Sequence, residues 1–366
     1  MGQLCGRNER KNNRSPDDRN GHKTNAGISR FFMTGMGSAG KSTIIRQLQL
    51  LCQQNKDYKL CNSDWSEMTL TDIDKCVWVN TIRRNVLDCF DIFAKQIQQN
   101  NMTYSDSDNT KFALRIEQLC DEENGIDDID IDEDFQKSMI KYFEDQAVKD
   151  LLKKWNKIDL PHKKLFDGAH HFLTSDKISE VFSQNYDPTD TDKIHCRKPT
   201  MKKDKYRFIL NGTKIEIDDV GGQKSELMRV SDYLHHWSFD TQENDQNFIL
   251  LVVSMSDYNV PHAEYPKYTL LDESSEYMKL LLNNGIADKC GLLIFFNKKD
   301  RFKEKLADEQ CRDDIHYLKD YLAREAYQDY QTSGKFNENV MNHAITAKFL
   351  DKLYSSQKVD KRNYCR

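Results

Sequence analysis

The 366-residue sequence predicts an α/β fold in which an all-helical domain interrupts a sheet domain. A short apolar run at residues 28–33 leads into a glycine-rich loop and then an amphipathic helix. Residues 60–186 contain no convincing strand, and strand patterns return after residue 204. Strand–helix alternation on both sides of a helical stretch indicates one sheet domain built from two chain segments. The predicted boundaries are a polar tail over 1–26, the sheet domain over 27–58 and 187–366, and the helical insert over 59–186.

Composition excludes several classes of protein. Lysine and arginine total 54 against 59 aspartates and glutamates, a formal net charge of −5, which argues against a nucleic-acid partner. No apolar run approaches the about 20 residues that cross a bilayer, and the N-terminus lacks the apolar core of a secretory signal. The ten cysteines form no C-x-x-C pair, which favours free thiols in a reducing compartment.

The sheet elements follow from apolar runs and one turn. Asn211-Gly212 is a strong two-residue hairpin signal between two strand patterns. Continuous apolar runs after it are typical of buried parallel strands. The predicted strands are residues 28–33, 205–210, 213–218, 248–254 and 291–296.

The helices follow from apolar residues at helical spacing. The first, residues 41–54, directly follows the glycine-rich loop. The insert is predicted to contain one long helix over 71–97 and shorter helices over 134–155 and 162–172. Adjacent histidines at 170–171 and 235–236 predict no metal site, because sequence neighbours point apart on a helix.

The glycine-rich loop fits the phosphate-binding pattern G-x-x-x-x-G-K-[ST]. In such loops backbone amides surround phosphate oxygens, and the following helix adds its positive N-terminal end. Lys41 is expected to reach the β- and γ-phosphates, and the Ser42 hydroxyl to ligate Mg²⁺. The motif is Gly35, Met36, Gly37, Ser38, Ala39, Gly40, Lys41, Ser42 and Thr43.

Two further motifs follow predicted strands. The first is Asn297-Lys298-Lys299-Asp300. A carboxylate at Asp300 can accept hydrogen bonds from N1–H and the 2-amino group of guanine, a donor pair that adenine lacks. In the second, Asp219 can support the Mg²⁺ shell, Gly222 can approach a γ-phosphate, and Gln223 can orient the attacking water. It reads Asp219-Val220-Gly221-Gly222-Gln223.

These motifs, in this order, resemble the alpha subunits of heterotrimeric G proteins. The resemblance covers about Ile28 to Lys352. The distance between Lys41 and Asp219 leaves room for the helical domain that alpha subunits carry, which small Ras-like GTPases lack. Further matches are Asn80-Thr81-Ile82, Ser256-Asp257-Tyr258, and His343-Ala344-Ile345 in place of the family's guanine-contact loop.

The resemblance implies a Ras-like P-loop GTPase domain with an inserted all-α domain, and a switch that binds GTP–Mg²⁺ and hydrolyses it slowly to GDP. Arg197 matches the family's built-in arginine finger, and Thr200 matches its second Mg²⁺ hydroxyl. The implied nucleotide-contact segment is Ile194, His195, Cys196, Arg197, Lys198, Pro199 and Thr200. Implied partners are a beta-gamma dimer, a G-protein-coupled receptor and an effector, at the cytoplasmic face of the plasma membrane or in the cytosol.

The sequence departs from the family pattern in places. Ser38 and Ala39 stand where the phosphate loop usually carries Glu and Ser. That glutamate normally pairs with the finger arginine, so we expect faster GDP release than is usual. Leu227 and Val230 replace an arginine and a tryptophan on the surface that meets the beta-gamma dimer and effectors, which puts beta-gamma binding in doubt.

The N-terminus carries weak lipidation signals. Met1-Gly2 permits myristoylation of Gly2, although Gly6 occupies the usual Ser/Thr position. Cys5 can be palmitoylated, as in the family. One chain binds a membrane only marginally, so a second chain or nearby basic residues are required. The alternative is a plain solvated tail.

Two alternative functions remain open. One is a GTP-binding scaffold with little hydrolysis and altered beta-gamma coupling, which Ser38, Leu227 and Val230 favour and Arg197 and Gln223 oppose. The other is a phosphate-loop ATPase or kinase, which the Asn297–Asp300 motif opposes.

Overall fold

The computed structural model describes residues 27–68, 75–121, 131–157, 164–198, 203–222, 227–283, 285 and 289–355. Within these ranges one six-stranded sheet has the order β2-β3-β4-β1-β5-β6. β1 lies parallel to β4 and β5, β5 lies parallel to β6, and the β2–β3 and β3–β4 pairs are antiparallel. The strands are β1 (Ser29–Thr34), β2 (Tyr58–Cys61), β3 (Asp204–Leu210), β4 (Thr213–Asp219), β5 (Gln246–Ser254) and β6 (Gly291–Asn297).

The hairpin between β3 and β4 is confirmed. Leu210 pairs with Thr213, and the two turn residues have positive φ angles, 49° at Asn211 and 80° at Gly212. Asparagine and glycine tolerate this left-handed region best, so the turn sets the strand register.

The described helices divide between the insert and the sheet domain. Those of the insert are α2 (Lys75–Gln99), α3 (Ser107–Asp121), α4 (Glu133–Phe143), α5 (Gln146–Leu152), α6 (Ala169–Phe172), α7 (Ser175–Val181) and α8 (Asp190–His195). Those around the sheet are α1 (Lys41–Gln54), α9 (Val230–Phe239), α10 (Leu270–Asn283), α11 (Lys299–Ala307), α12 (Arg324–Ser333) and α13 (Glu338–Ser355), with 3₁₀ segments at Met255–Asn259 and Glu309–Tyr321.

Three apolar cores hold these layers. The insert has its own core around Phe90, Phe135 and Phe172. One face of the sheet packs against α9, α10, α11 and α13 around Trp237 and Met278. The other face is covered mainly by α1. The two-segment sheet domain is therefore a packed unit beside an independently packed insert.

The predicted domain boundaries need correction at both ends of the insert. Strand β2 pairs with β3 through Tyr58 and Leu210, so a boundary at 58/59 cuts through a strand of the sheet. At the other end, Cys196 is buried in the insert core, so the insert extends past residue 186. The predicted helix over 134–155 is two helices, because the Asp145 carboxylate accepts from the Ala147 N–H and starts α5 anew.

Strand β6 forms one edge of the sheet. In the described ranges it pairs with β5 and with no further strand. Leu293 and Phe295 are 44% and 48% exposed on one face of β6. On the other face Leu292, Ile294 and Phe296 pack against the core. No helix of the described residues is long and apolar enough to cross a membrane.

Candidate nucleotide-binding site

The glycine-rich loop joins the end of β1 to the start of α1. Gly35 and Gly40 have φ angles of 144° and 99°, which L side chains rarely adopt. A Cβ at Gly35 would lie 2.2 Å from the Val252 carbonyl oxygen, and one at Gly40 would lie 2.2 Å from Asn297 Nδ2. Both glycines are therefore required by conformation and by close packing.

Lys41 folds back over this loop. Its Nζ donates hydrogen bonds to the carbonyl oxygens of Gly35 (2.7 Å) and Met36 (3.2 Å). Burial lowers the pKa of Lys41 to about 8, and the nearby charge of Asp219 opposes that shift. An anionic ligand in the loop would favour the charged ammonium in the same way.

The loop after β4 packs directly on the glycine-rich loop. Asp219 is buried at the end of β4, where it pairs in register with Met33 of β1. A Cβ at Gly222 would lie 2.6 Å from Lys41 Nζ and 2.7 Å from the Gly37 nitrogen. No Cβ fits at this position, so only glycine is tolerated. The Gly222 backbone can therefore lie close to a group bound by the glycine-rich loop.

The loop after β6 contacts the same region. Asn297 Nδ2 donates to the Ala39 carbonyl oxygen at 2.9 Å. Lys298 has a φ of 60°, and its ammonium bonds the Ser38 carbonyl oxygen and the Asp167 carboxylate of the insert. Lys298 therefore links both domains to the phosphate loop.

A cavity of about 380 Å³ opens between the sheet domain and the insert. The phosphate-loop residues from Gly37 onward, the segment 194–198 and the loop after β6 all contribute to its walls. It is lined by Gly37, Ser38, Ala39, Gly40, Lys41, Ser42, Thr43, Arg46, Gln47, Phe166, Asp167, Gly168, His170, Ile194, His195, Cys196, Arg197, Lys198, Gly222, Asn297, Lys298, Asp300 and Arg301. Three sequence motifs far apart in the chain therefore meet at one cavity.

The segment after α8 is anchored from both domains. The Asn85 side chain accepts a hydrogen bond from Arg197 N–H and donates one to the Arg197 carbonyl oxygen. Arg46 of α1 donates to the carbonyl oxygens of Lys193 (2.7 Å) and Cys196 (2.6 Å). The Arg197 side chain itself is exposed.

Three histidines cluster at the insert side of the cavity. The His195 ring stacks on His171 at 4.6 Å and meets the edge of His170 at 5.4 Å. His171 Nε2 lies 2.6 Å from Asp192 Oδ1. Burial, followed by the neighbouring His171 and His170, lowers the pKa of His195, while Asp192 and Asp300 act to raise it. In the described residues no group of three or more His, Cys, Asp or Glu is arranged to hold a metal ion.

A second polar contact joins the domains beside the cavity. The Arg301 guanidinium lies 3.7 Å from the Trp155 ring centroid and donates to Asn156 Oδ1 at 2.9 Å. Lys164 of the insert pairs with Asp257, which follows β5. These contacts close the domains on each other around the cavity.

Several predicted site residues lie elsewhere. Val220 is fully buried in the core, and Lys299 pairs with Glu338 at 2.7 Å, so neither lines the cavity. The cavity lining also does not include Gly35, Met36, Asp219 and Gly221. Pro199, Thr200, Gln223, Gly2 and Cys5 lie outside the described residues.

Two expectations are corrected. Ala344 is fully buried inside α13 and does not stand in a base-contacting loop, because the apolar positions of this segment form a continuous helix against the core. Val230 is only 6% exposed and packs in the core, so it is not part of a partner surface. Leu227 also packs partly against that core, whereas Met228 is 81% exposed.

The contributors that the sequence does not single out include Asn85, Asp167, Arg46 and Arg301. None belongs to a recognisable motif. A polar residue such as Asn85 on the apolar face of a long helix was the one available signal.

The sheet with its phosphate loop, the helical insert and the cavity between them define a Ras-like P-loop protein with an inserted helical domain. A family model described as "G-protein alpha subunit" matches residues 7–365, so the chain belongs to that family. It is 27% identical over 297 residues to the guanine nucleotide-binding protein alpha-1 subunit of Caenorhabditis elegans, covering 79% of this chain and 72% of that protein. It is 24% identical over 286 residues to the alpha-6 subunit of Dictyostelium discoideum, covering 78% and 72%.

Proposed function

We propose that the protein is a guanine nucleotide-dependent signalling switch that binds GTP with Mg²⁺ and slowly hydrolyses it to GDP. The observation that carries this is the cavity lined jointly by the phosphate loop, Asp300 and Arg197. A phosphate site, a base-reading carboxylate and a positive charge near the transferred phosphoryl group are what a GTPase needs together.

Guanine selection is assigned to Asp300. Its carboxylate reaches the cavity wall and accepts hydrogen bonds only. Guanine offers the matching N1–H and 2-amino donors, and adenine does not. Asn297 holds the phosphate loop at its distance from the base site through Ala39.

Mg²⁺ fits the donor set. The Ser42 hydroxyl and the buried Asp219 carboxylate supply hard oxygen donors beside Lys41, and Thr200 is proposed as a further hydroxyl. When bound, Mg²⁺ would neutralise charge on the β- and γ-phosphates. Asp219 would support the ion's shell through water.

The hydrolytic step is assigned to water as nucleophile. Gln223 orients the water, which forms a bond to the γ-phosphorus while the Gly222 amide approaches the γ-phosphate. The bond from that phosphorus to the β–γ bridging oxygen breaks, so GDP leaves and inorganic phosphate is the other product. Lys41 and Arg197 stabilise the negative charge that develops on the transferring phosphoryl oxygens. Burial lowers the pKa of Lys41 to about 8, and a bound polyphosphate would raise it and so favour the charged ammonium.

The proposed partners are those of an alpha subunit: a beta-gamma dimer, a transmembrane receptor and an effector. The doubt about the beta-gamma dimer rests on Leu227, since Val230 is buried. Acylation at Gly2 and Cys5 would hold the protein at the cytoplasmic face of the plasma membrane, and without it the protein would be cytosolic.

The test is single-turnover hydrolysis of preloaded GTP by purified protein with Mg²⁺, beside Arg197→Ala. A rate that falls steeply in the variant supports the switch. Tight GTP binding with equal, background hydrolysis in both proteins would favour the alternative, a GTP-stabilised scaffold, which the replacement at Ser38 supports.

A further inference from the structure

The Asn85 side chain binds both polar backbone groups of a single residue. Its Oδ1 accepts from Arg197 N–H at 2.6 Å, and its Nδ2 donates to the Arg197 carbonyl oxygen at 2.9 Å. Asn85 is 6% exposed and lies in the middle of α2, in the insert. One amide from the helical domain therefore fixes one residue of the cavity wall.

Asn85 gives the Arg197 backbone the two hydrogen-bond partners that it has in no helix or strand of the described residues. Helix α8 ends at His195, and Cys196 still bonds back to the Asp192 carbonyl oxygen. Arg197 follows, with neither a helical turn nor a strand beside it in the described residues. The Asn85 amide supplies one acceptor and one donor, as a neighbouring strand would.

The two hydrogen bonds from Asn85 hold only the backbone of Arg197. They leave its side chain free to contact a ligand in the cavity. Arg197 is exposed and lines the cavity, while its backbone is held. Asp88, one turn along α2, feels the same charge: burial raises its pKa, and Arg84 and Arg197 act to lower it. Helix α2 thus holds the backbone of Arg197 and lies within electrostatic range of its guanidinium.

A purely structural role for Asn85 does not explain why an asparagine is buried at this position of α2. Asparagine is a weak helix former, and its neighbours Ile82 and Val86 in α2 are fully buried. Burying an amide there costs free energy unless both its polar ends are satisfied. Both are satisfied by Arg197 and by no other residue with a described bond to the Asn85 side chain.

We infer that Asn85 is a positioning residue for hydrolysis. It holds the backbone of Arg197 at the position in the cavity wall from which the guanidinium can contact the transferring phosphoryl group. The inference rests on the proposed function, in which Arg197 stabilises that charge. It also makes the helical insert a contributor to catalysis, because the two hydrogen bonds to Arg197 come from α2.

The experiment is a double-mutant cycle on the full chain. Single-turnover GTP hydrolysis is measured for the wild type, Asn85→Ala, Arg197→Ala and the double variant, alongside the affinity for a non-hydrolysable GTP analogue. Asn109→Ala is the matched control, since Asn109 is also a buried insert asparagine, and its side-chain amide bonds Asp145 instead of Arg197. If Asn85→Ala does not fold, Asn85→Asp keeps the acceptor for Arg197 N–H, replaces the donor with a second acceptor and adds a negative charge.

We expect Asn85→Ala to slow hydrolysis about tenfold or more, with analogue affinity within about twofold of the wild type. In the Arg197→Ala background the same change should have no further effect. Asn85→Asp should be intermediate, and Asn109→Ala should hydrolyse at the wild-type rate.

Two results would overturn the inference: wild-type hydrolysis in Asn85→Ala, or an equal loss with and without Arg197. The second would show a general structural role. If Arg197→Ala alone leaves hydrolysis unchanged, the proposed function fails and the inference falls with it, and the single variant identifies that case.

Discussion

Asn297 and Ala39 are joined by a hydrogen bond of 2.9 Å across a sequence separation of 258 residues. The bond ties the loop that follows the last described strand to the loop that follows the first. Because Asn297 Nδ2 also fills the space beside Gly40, the two loops act as one wall of the cavity. The phosphate site and the proposed base site are thus held at a fixed spacing.

Replacing Asn297 with alanine should loosen that wall. The Ala39 carbonyl oxygen loses its donor, a loss of about 1–2 kcal/mol, so affinity for GDP should fall about tenfold. Titration with a fluorescent GDP analogue measures it. Asn247→Ala is the matched control, since Asn247 donates one hydrogen bond to Thr241, away from the cavity. Equal affinities in the two variants would refute the coupling.

Asp300 should distinguish guanine from hypoxanthine. The latter lacks the 2-amino group, so wild-type protein should bind IDP about tenfold more weakly than GDP. In Asp300→Asn that difference should largely disappear, because the amide no longer offers two acceptors. Competition binding with both nucleotides gives the ratio. Asp313→Asn, an exposed carboxylate outside the cavity, should keep the wild-type ratio, and an unchanged ratio in Asp300→Asn would exclude Asp300 as the base contact.

Arg301 should slow nucleotide release through its contact with Trp155. Stacking at 3.7 Å and the bond to Asn156 join the domains beside the cavity, so Arg301→Met should accelerate GDP release about tenfold. Stopped-flow release of a fluorescent GDP measures the rate.

Trp155→Leu removes the same contact from a residue that does not line the cavity, and it should give the same acceleration. Arg312→Met, which breaks only the ion pair with Glu309, serves as the control. If GDP release is accelerated in Arg301→Met but not in Trp155→Leu, Arg301 acts on the nucleotide and not through the contact between the domains.

Acid should destabilise the protein through His195. Its pKa lies below the ordinary 6.5 in the folded state, because burial and the two neighbouring histidines disfavour the imidazolium. The unfolded chain therefore takes up the proton first as the pH falls. The contribution of neutral His195 is fully present above about pH 6.5 and is lost as the pH falls below that value toward the folded pKa.

Urea unfolding at pH 7.5 and 5.5 tests this prediction. The wild type should lose more stability over that range than His195→Gln, which cannot take up the proton. His316→Gln is the control, since His316 is exposed and does not line the cavity. Identical pH dependence in the wild type and His195→Gln would contradict the prediction.

The elements that the sequence predicts well are those with strong local signals. The phosphate loop requires glycines, the Asn211-Gly212 turn requires positive φ, and β5 is a continuous apolar run. Strand β2 has no such signal: four residues, Tyr58–Cys61, form a strand only because β3 offers them an edge. Pairing with β3, and not the local sequence, therefore determines that residues 58–61 form a strand.

The same distinction holds at the site. Asn297, Lys298 and Asp300 were predicted because one motif contains them. Asn85 and Arg301 were not, since their roles depend on how the insert closes over the sheet domain. Ala344 was misplaced because a three-residue match outweighed the helical periodicity around it, although burial of that face decides its structure.

The buried ion pair between Arg30 and Glu216 joins residues 186 positions apart, in β1 and β4. During synthesis β1 therefore cannot pair with β4 until the ribosome has made β4. At ~5–20 residues per second the ribosome needs about 10–40 s to reach Glu216. The insert emerges complete within that interval, and its core can form from contiguous chain. Its closely spaced ends would then hold β1 near the place where β4 arrives, so the inserted domain shortens the search by which the sheet around it assembles.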